Sequence, residues 1–267
     1  MQAVQGARAF GRLSLALLAT LLCIPLYRLS PFVSTQRQIA RLWFCAVRAI
    51  AGLQNTVSGR IQHQGPVLYV ANHVSYLDII LLGASLNAVF VSKSDVADWP
   101  LFGRIARMGQ CVFVSRKPTQ VRAEAAVIHR LLASGRNVIL FPEGTTGCGG
   151  GLLPFKSALL AALDGLPHAQ VQPVSIAYPD RLRGGADISL AWYGDMALMP
   201  HLWQVLKRAD APSRLHFLPA LRAGDFSDRK HLAASCQTRI QHALAHSLAA
   251  EPGDSAVQTL NWTPAHP

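Results

Sequence analysis

Short runs rich in β-branched and aromatic residues alternate with helical stretches from about residue 66 to residue 249. Branched and aromatic side chains favour strands because they pack well on a pleated surface. Strands that alternate with helices are typical of a sheet whose faces are both covered by helices. We therefore expect an α/β fold with a mostly parallel sheet. The predicted strands are 67–71, 88–92, 111–115, 137–141, 171–177, 188–192 and 214–218, and the predicted helices are 77–86, 100–108, 119–134, 155–164, 200–208 and 228–249.

The first 77 residues contain seven arginines and no acidic residue, in a chain whose formal net charge is +11. Such a basic excess indicates a polyanionic partner, either nucleic acid or anionic lipid headgroups. Between Arg12 and Arg28 lie fifteen uncharged, mostly apolar residues. Because nucleic-acid-binding arms are seldom so apolar, we predict contact with anionic membrane lipids and no nucleic-acid partner.

The apolar segment 13–27 is shorter than the roughly 20 residues that a membrane-spanning helix needs. It crosses the bilayer if the flanking arginines reach the headgroups, or it lies in one leaflet. A secretory signal peptide is a competing interpretation, but no small-x-small cleavage site follows before Pro31. The next segment, 39–50, puts Trp43 and other apolar residues on one helical face and arginines on the other, which suits the membrane interface.

The five cysteines form no CxxC pair and no zinc-like spacing with histidine. We therefore predict free thiols in a reducing compartment and no metal site. The folded part of the chain would then face the cytoplasm.

A histidine followed five positions later by an aspartate comes directly after the predicted strand 67–71. His73 falls in the turn at the end of that strand, and Asp78 falls on the first turns of the next helix. An aspartate there can bind one imidazole nitrogen, fix the tautomer and leave the other nitrogen free as a general base. The same spacing also fits a helix cap at Asn72 with an incidental histidine.

Four short motifs in register resemble those of the lysophospholipid and glycerol-phosphate acyltransferase family (PlsC-like). They are the HX4D motif from Asn72-His73 to Asp78, then Gly109-Gln110-Cys111-Val112-Phe113-Val114-Ser115-Arg116, Phe141-Pro142-Glu143-Gly144-Thr145-Thr146 and Val171-Gln172-Pro173-Val174-Ser175-Ile176. The resemblance spans roughly residues 65–180. We therefore predict a helical membrane anchor over residues 1–55, an acyltransferase domain over 60–250 and a disordered tail over 251–267.

The resemblance implies that His73 deprotonates the acceptor hydroxyl and that Asp78 orients His73. The hydroxyl would attack the thioester carbonyl of acyl-CoA or acyl-carrier protein, the co-substrate, and no bound cofactor is expected. Arg116 is assigned to an acceptor phosphate, which suits a guanidinium fork, and Glu143 to hydrogen bonds with acceptor hydroxyls. The other positions assigned to substrate binding are Asn72, Lys93, Gly144, Thr145 and Lys156, although solvation alone also explains the two lysines.

One position departs from the family pattern. The third motif usually continues with arginine and serine after its first threonine, whereas Thr146 and the glycine-rich stretch 147–151 follow here. We expect 1-acyl-sn-glycerol-3-phosphate as the acceptor, giving phosphatidic acid, but the missing cation weakens the case for a phosphate-bearing substrate. The alternative is lyso-ornithine lipid, because the FPEGTT form and residues 192–203 resemble that bacterial branch.

Two other functions compete with acyl transfer. Lipid hydrolysis by a serine nucleophile would call for a GxSxG elbow, which the sequence lacks. A non-catalytic basic membrane-binding protein has no need of the combination of His73, Asp78, Arg116 and Glu143. We therefore expect a membrane-associated enzyme on the cytoplasmic face of a bacterial inner membrane.

Overall fold

The structure is a computed structural model that describes residues 2–93, 111–114 and 120–249. Its described α-helices are α1 (Gln2–Leu29), α2 (Val33–Ala51), α3 (Leu77–Ser85), α4 (Val121–Ala133), α5 (Leu198–Lys207) and α6 (Arg229–Ala249). Its described strands are β1 (Leu53–Gly59), β2 (Val67–Ala71), β3 (Val89–Lys93), β4 (Val112–Val114), β5 (Val138–Leu140), β6 (Gln170–Ala177), β7 (Ala211–Phe217) and β8 (Leu221–Arg222). Short 3-10 helices cover Ser157–Leu163, Ile188–Leu190 and Ala223–Asp225.

The strands form one sheet in the order β1-β7-β6-β2-β5-β3-β4, with β8 beside β6. The pairs from β6 to β4 are all parallel, whereas β7 and β8 are antiparallel to β6. The predicted α/β class with a mostly parallel sheet is therefore confirmed. Parallel strands bring their carboxyl ends to one edge of the sheet, and ligand sites gather there.

The side chains of β2 divide between two hydrophobic clusters, one on each face of the sheet. Val67, Tyr69 and Ala71 pack in the cluster that includes residues of α2, α3 and α5, and Leu68 and Val70 pack with residues of α4 and α6. All five residues of β2 are buried, as expected for a central parallel strand covered on both faces. This burial explains why the strand is a continuous apolar run in the sequence.

The sequence-based elements differ from the structure in four places: 188–192 is not a strand, the predicted helix 155–164 is a 3-10 helix over Ser157–Leu163, and β1 and β8 were not predicted. The predicted strand 188–192 contains a 3-10 turn, in which the Asp187 carboxylate accepts hydrogen bonds from the backbone N–H of Ser189 at 3.1 Å and its hydroxyl at 2.6 Å. Such local side-chain bonds compete with strand pairing. Strand β1 was missed because it is a polar edge strand without an apolar run. The predicted helix 100–108 and the predicted tail from residue 251 lie outside the described residues.

In helix α2, Trp43 is buried inside the fold and does not lie on an exposed apolar face, as the sequence had suggested for a membrane interface. Trp43 is only 4% exposed, and its indole N–H donates to the hydroxyl of Thr20 in α1 at 2.9 Å. Phe44 packs on α3 so closely that a Cβ on Gly83 would lie 2.6 Å from its ring. The membrane role predicted for Trp43 is therefore wrong, because α1 and α3 already cover this face.

Helix α1 carries the exposed apolar surface instead. Several of its leucines are more than half exposed, among them Leu18, Leu21, Leu22, Leu26 and Leu29. Among the described residues, α1 is the helix that is long and apolar enough to cross a membrane. It is longer than the predicted segment 13–27, and its first half is fixed to the rest of the fold. Arg8 donates to the carbonyl of Lys207 at 3.1 Å, and Arg12 donates to that of Arg208 at 2.8 Å.

Candidate active site

The turn between β2 and α3 brings a histidine and an aspartate into contact at the carboxyl edge of the sheet. His73 lies in this turn, and Asp78 lies on the first turn of α3. The Nδ1 atom of His73 is 2.8 Å from the Oδ2 atom of Asp78. The spacing in the sequence therefore does place the imidazole and the carboxylate side by side.

Asp78 is completely buried and accepts hydrogen bonds on both oxygens. Besides the imidazole, Oδ2 accepts from the backbone N–H of Val74 at 2.7 Å and of Ser75 at 3.0 Å. Oδ1 accepts from the hydroxyl of Tyr178 at 2.7 Å. Because backbone N–H groups can only donate, these contacts favour the ionised carboxylate. An ionised Asp78 binds His73 through an Nδ1–H, so Nε2 keeps its lone pair and can accept a proton.

The His73 ring is held from its face as well as from its edge. It stacks on Phe141, with ring centroids 4.0 Å apart and an angle of 13° between the planes. Phe141 is the first residue after β5, the neighbour of β2. The side chain of His73 remains 14% exposed, as a base that must meet a substrate hydroxyl requires.

Glu143 connects the His73 turn to the loop that follows β5. One of its carboxylate oxygens accepts from the backbone N–H of His73 at 2.8 Å, and the other accepts from the backbone N–H of Leu153 at 2.9 Å. Burial raises the pKa of Glu143 to about 7; the two backbone donors oppose this shift, and the charge of Asp78 adds to it. The structure thus shows this carboxylate binding backbone, and its contact with acceptor hydroxyls stays a prediction.

The glycine-rich stretch 147–151 packs directly on the turn that carries His73. The backbone N–H of Gly147 donates to the carbonyl of His73 at 2.9 Å. Gly149 has a φ of +86°, and a Cβ at this position would lie 3.0 Å from Val74. Glycine allows both the left-handed backbone and the close approach. Packing therefore requires glycine at position 149, whereas a Cβ at Gly150 or Gly151 would meet open space.

Lys156 lies over the Glu-Gly-Thr turn. Its backbone N–H donates to the carbonyl of Pro142 at 2.9 Å. Its ammonium nitrogen lies 3.2 Å from where a Cβ of Gly144 would be, and Gly144 itself has a φ of +74°. Lys156 and Thr145 are both exposed. These three residues therefore form an accessible wall beside Glu143.

The remaining predicted site residues are not gathered around His73 in the same way. Asn72 is 1% exposed, and its side-chain amide bridges β2 to β6 by binding the carbonyl and the N–H of Ile176 at 2.9 and 2.7 Å. Asn72 therefore joins the two strands, and its contact with a substrate stays a prediction. Lys93 is the last residue of β3, at the carboxyl edge, and Arg116 lies outside the described residues.

An aromatic group that no sequence motif indicated supports the turn. The hydroxyl oxygen of Tyr76 lies 3.1 Å from the Nδ1 atom of His201. The ring of Tyr76 makes an edge contact with Trp192 at a centroid distance of 6.0 Å. The backbone N–H of Trp192 donates to the carbonyl of Val74 at 3.0 Å. These contacts give a physical account of the segment from Trp192 to His201.

Tyr178 was also missed. It is a single tyrosine after an apolar strand, 100 residues from Asp78 in the chain, and no local pattern pointed to it. The motif that precedes it, 171–176, was recognised, but nothing in that motif assigns a role to the next residues.

Comparisons with known proteins agree with this geometry. A family model described as Acyltransferase matches residues 54–177. The lyso-ornithine lipid O-acyltransferase of Rhodobacter capsulatus is 39% identical over 73% of this chain and 72% of its own length. The enzyme of the same name from Rhizobium meliloti is 36% identical over 80% and 77%. The 1-acyl-sn-glycerol-3-phosphate acyltransferase of Neisseria meningitidis is 31% identical over 69% and 71%.

The fold also has a counterpart among solved structures. The crystal structure of the 1-acyl-sn-glycerophosphate acyltransferase PlsC from Thermotoga maritima superposes with a TM-score of 0.64 and 18% sequence identity. The match covers 90% of this chain and 98% of that one. At this identity the likeness establishes the fold.

Proposed function

Because this chain belongs to the acyltransferase family and acylates lysolipids, we propose that it moves a fatty acyl group from an acyl thioester to the free hydroxyl of lyso-ornithine lipid. The resemblance predicted from the four motifs is confirmed.

His73 is the general base of the proposed reaction. Its Nε2 takes the proton of the acceptor hydroxyl while the oxygen attacks the thioester carbonyl. The carbon–sulfur bond then breaks, and the proton on Nε2 passes to the departing thiolate. Asp78 holds the ring and stabilises the transient imidazolium. The observation that carries this assignment is the 2.8 Å contact between His73 and a fully buried Asp78.

The choice of lyso-ornithine lipid rests on how few cations lie near the wall formed by Gly144, Thr145 and Lys156, where we place the acceptor. Thr146 stands where the family pattern has an arginine, and Lys156 is the only lysine or arginine from Phe141 to Pro179. An ornithine headgroup presents one carboxylate, together with its own ammonium group, in place of a phosphate ester, and the single ammonium group of Lys156 suits that carboxylate. The similarity to the Rhodobacter and Rhizobium enzymes supports the same acceptor.

1-acyl-sn-glycerol-3-phosphate is the second candidate. Its support is the Neisseria enzyme, whose name states that acceptor and which is 31% identical to this chain. Lys93 is the last residue of β3, at the edge where β2 and β5 also end. Arg116, which the family resemblance assigns to a phosphate, comes two residues after β4 in the sequence. These are the two residues that would serve its phosphate.

The donor is proposed to be acyl-CoA or acyl-carrier protein, and the location the cytoplasmic face of a bacterial inner membrane. A thioester already activates the acyl group, so only the alcohol needs a base. The five cysteines are unpaired, which suits a reducing compartment. The exposed apolar face of α1 and its exposed Arg28 suit a membrane with anionic lipids.

A direct test supplies both acceptors, separately, to the purified protein with one labelled donor. We expect turnover on lyso-ornithine lipid to exceed turnover on the phosphate acceptor. The Thr146→Arg variant should shift this preference toward the phosphate acceptor by about tenfold, since a charged hydrogen bond contributes roughly 1.5–3 kcal/mol.

The matched control is Cys148→Arg, which adds the same charge at an exposed position two residues away. Equal shifts in the two variants would mean that charge alone, rather than position 146, sets the preference. Higher turnover of the unaltered chain on the phosphate acceptor would reverse the choice of acceptor. Failure to acylate any lysolipid would overturn the assigned reaction.

A further inference from the structure

We propose that Tyr178 is a positioning residue for acyl transfer, acting on His73 through the carboxylate of Asp78. The inference rests on the function proposed above and adds a third member to the pair that the spacing predicted. Tyr178 does not touch the reacting atoms. Its hydroxyl stabilises the carboxylate of Asp78, which in turn holds the imidazole of His73.

The contact is short and buried on both sides. The phenol oxygen of Tyr178 lies 2.7 Å from Oδ1 of Asp78. Tyr178 is 2% exposed and Asp78 0%. Within the part of the chain that the structure describes, this hydroxyl is the donor found at Oδ1, whereas Oδ2 is shared by the imidazole and two backbone N–H groups.

The backbone keeps the phenol in place. Tyr178 is the first residue after β6, and its carbonyl accepts the backbone N–H of Asp187 at 2.7 Å. Strand β6 pairs directly with β2, so Ala71 lies opposite Val174. The phenol therefore reaches Asp78 from a rigid neighbouring strand and needs no loop movement to do so.

The phenol remains a neutral donor across the working pH range. Burial raises the pKa of Tyr178 well above its usual value, and the negative charge of Asp78 raises it further. A hydrogen bond to an ionised carboxylate stabilises the charged form and lowers its basicity. The Tyr178 hydroxyl thus donates to the carboxylate that also binds Nδ1 of His73, so Asp78 holds the imidazole proton less tightly than it would without this donor.

Removing the phenol oxygen should change the acid side of the pH profile. Without this donor, the Asp78 carboxylate has one stabilising hydrogen bond fewer and should hold the Nδ1 proton of His73 more tightly, so the acid limb should lie at a higher pH. The other titratable groups around the pair are Glu143 and Tyr76, which interact with Asp78 and Tyr178 respectively. The Tyr178 substitution leaves Glu143 and Tyr76 in place, so a shift of the acid limb would be assigned to the lost hydroxyl of Tyr178.

The experiment compares Tyr178→Phe with Tyr69→Phe. Tyr69 is also buried, at 1% exposure, and its hydroxyl donates to the carbonyl of Gln62 at 2.7 Å. Each variant loses one buried hydrogen bond, but only one loses it at Asp78. We expect Tyr178→Phe to lower kcat about ten- to a hundredfold, to leave the acceptor KM within about twofold and to move the acid limb of kcat/KM upward. Tyr69→Phe should change stability without moving the acid limb.

A double variant and a subtle replacement keep the proposal open to refutation. If Tyr178 acts through Asp78, adding Tyr178→Phe to Asp78→Asn should slow the enzyme little further. Replacement of Tyr178 by 3-fluorotyrosine, a stronger donor, should move the acid limb downward, and it provides the test if Tyr178→Phe does not fold. An unmoved acid limb in both variants, or additive losses in the double variant, would overturn the role of Tyr178. Absence of activity in the unaltered protein would instead count against the proposed function.

Discussion

The carboxyl edge of β2 and the first helix of the chain are organised by opposite kinds of interaction. At the edge, Asp78 and Glu143 are buried, and each oxygen of their carboxylates accepts a hydrogen bond. Along α1, leucines such as Leu21 and Leu22 are 67% and 57% exposed. The edge depends on directional bonds that one atom can break, whereas the helix depends on apolar area, which is additive and tolerant of substitution.

This difference predicts which substitutions should change the reaction sharply and which should change membrane binding by degrees. A substitution in the edge should alter chemistry and leave membrane binding as it was. A substitution on α1 should do the reverse. Turnover and membrane binding are therefore both measured for the variants of His73 and α1, and a change in the wrong one of the two would contradict the comparison. For Glu143 the measured quantity is stability.

The largest expected effect is that of His73→Ala. Removing a general base lowers the rate by about 100- to 10,000-fold, and we expect that loss in turnover with membrane binding unchanged. Turnover of labelled donor measures the rate, and sedimentation with vesicles measures membrane binding. Retention of the parent rate would remove the base from the mechanism, and a loss of vesicle binding would show that the two regions are not independent.

The pair Leu21→Asn and Leu22→Asn should come second. Burying a leucine side chain is worth at least about 1.5 kcal/mol, so losing two should weaken partitioning into vesicles by about a hundredfold. Turnover on a detergent-dispersed acceptor should remain within about twofold. A matched control is Leu42→Asn, on α2, whose leucine is also exposed. If the control weakens partitioning as much as the pair, α1 is not the principal lipid contact.

The smallest effect concerns the charge of Glu143. Its folded-state pKa of about 7 lies above the ordinary value of 4.5, because burial disfavours the ionised form. Stability from this group is therefore fully present below pH 4.5 and is lost as the pH rises through 7. Relative to Glu143→Gln, the parent should lose roughly 2 kcal/mol of unfolding free energy between pH 5 and pH 8.

Urea denaturation at several pH values measures this difference. The sign matters, because a carboxylate stabilised by its backbone donors alone would show the parent gaining stability over the same range. A difference that does not vary with pH would mean that the Glu143 carboxyl has the same proton affinity in the folded and unfolded chains. No such pH-dependent change is expected for the leucine variants of α1.

Much of the sheet could be predicted from the sequence because its central strands are apolar runs. Burial on both faces requires such runs, and β2 and β6 were recognised for that reason. β1 escaped because a polar edge strand has no periodic apolar signal. Trp43 was placed on the wrong surface because an apolar helical face has the same pattern whether it meets lipid or another helix.

The sequence by itself placed His73 and Asp78 on one strand-to-helix turn, although the same spacing also fitted a helix cap with an incidental histidine. The structure decided that the two side chains are in contact, at 2.8 Å. Only the tertiary structure decided that Glu143 holds the N–H of His73 and that Tyr178 donates to Asp78. Those partners are 70 and 100 residues from the groups they bind. They meet because β5 and β6 lie on either side of β2, and the order of strands in a sheet depends on long-range packing that no local spacing encodes.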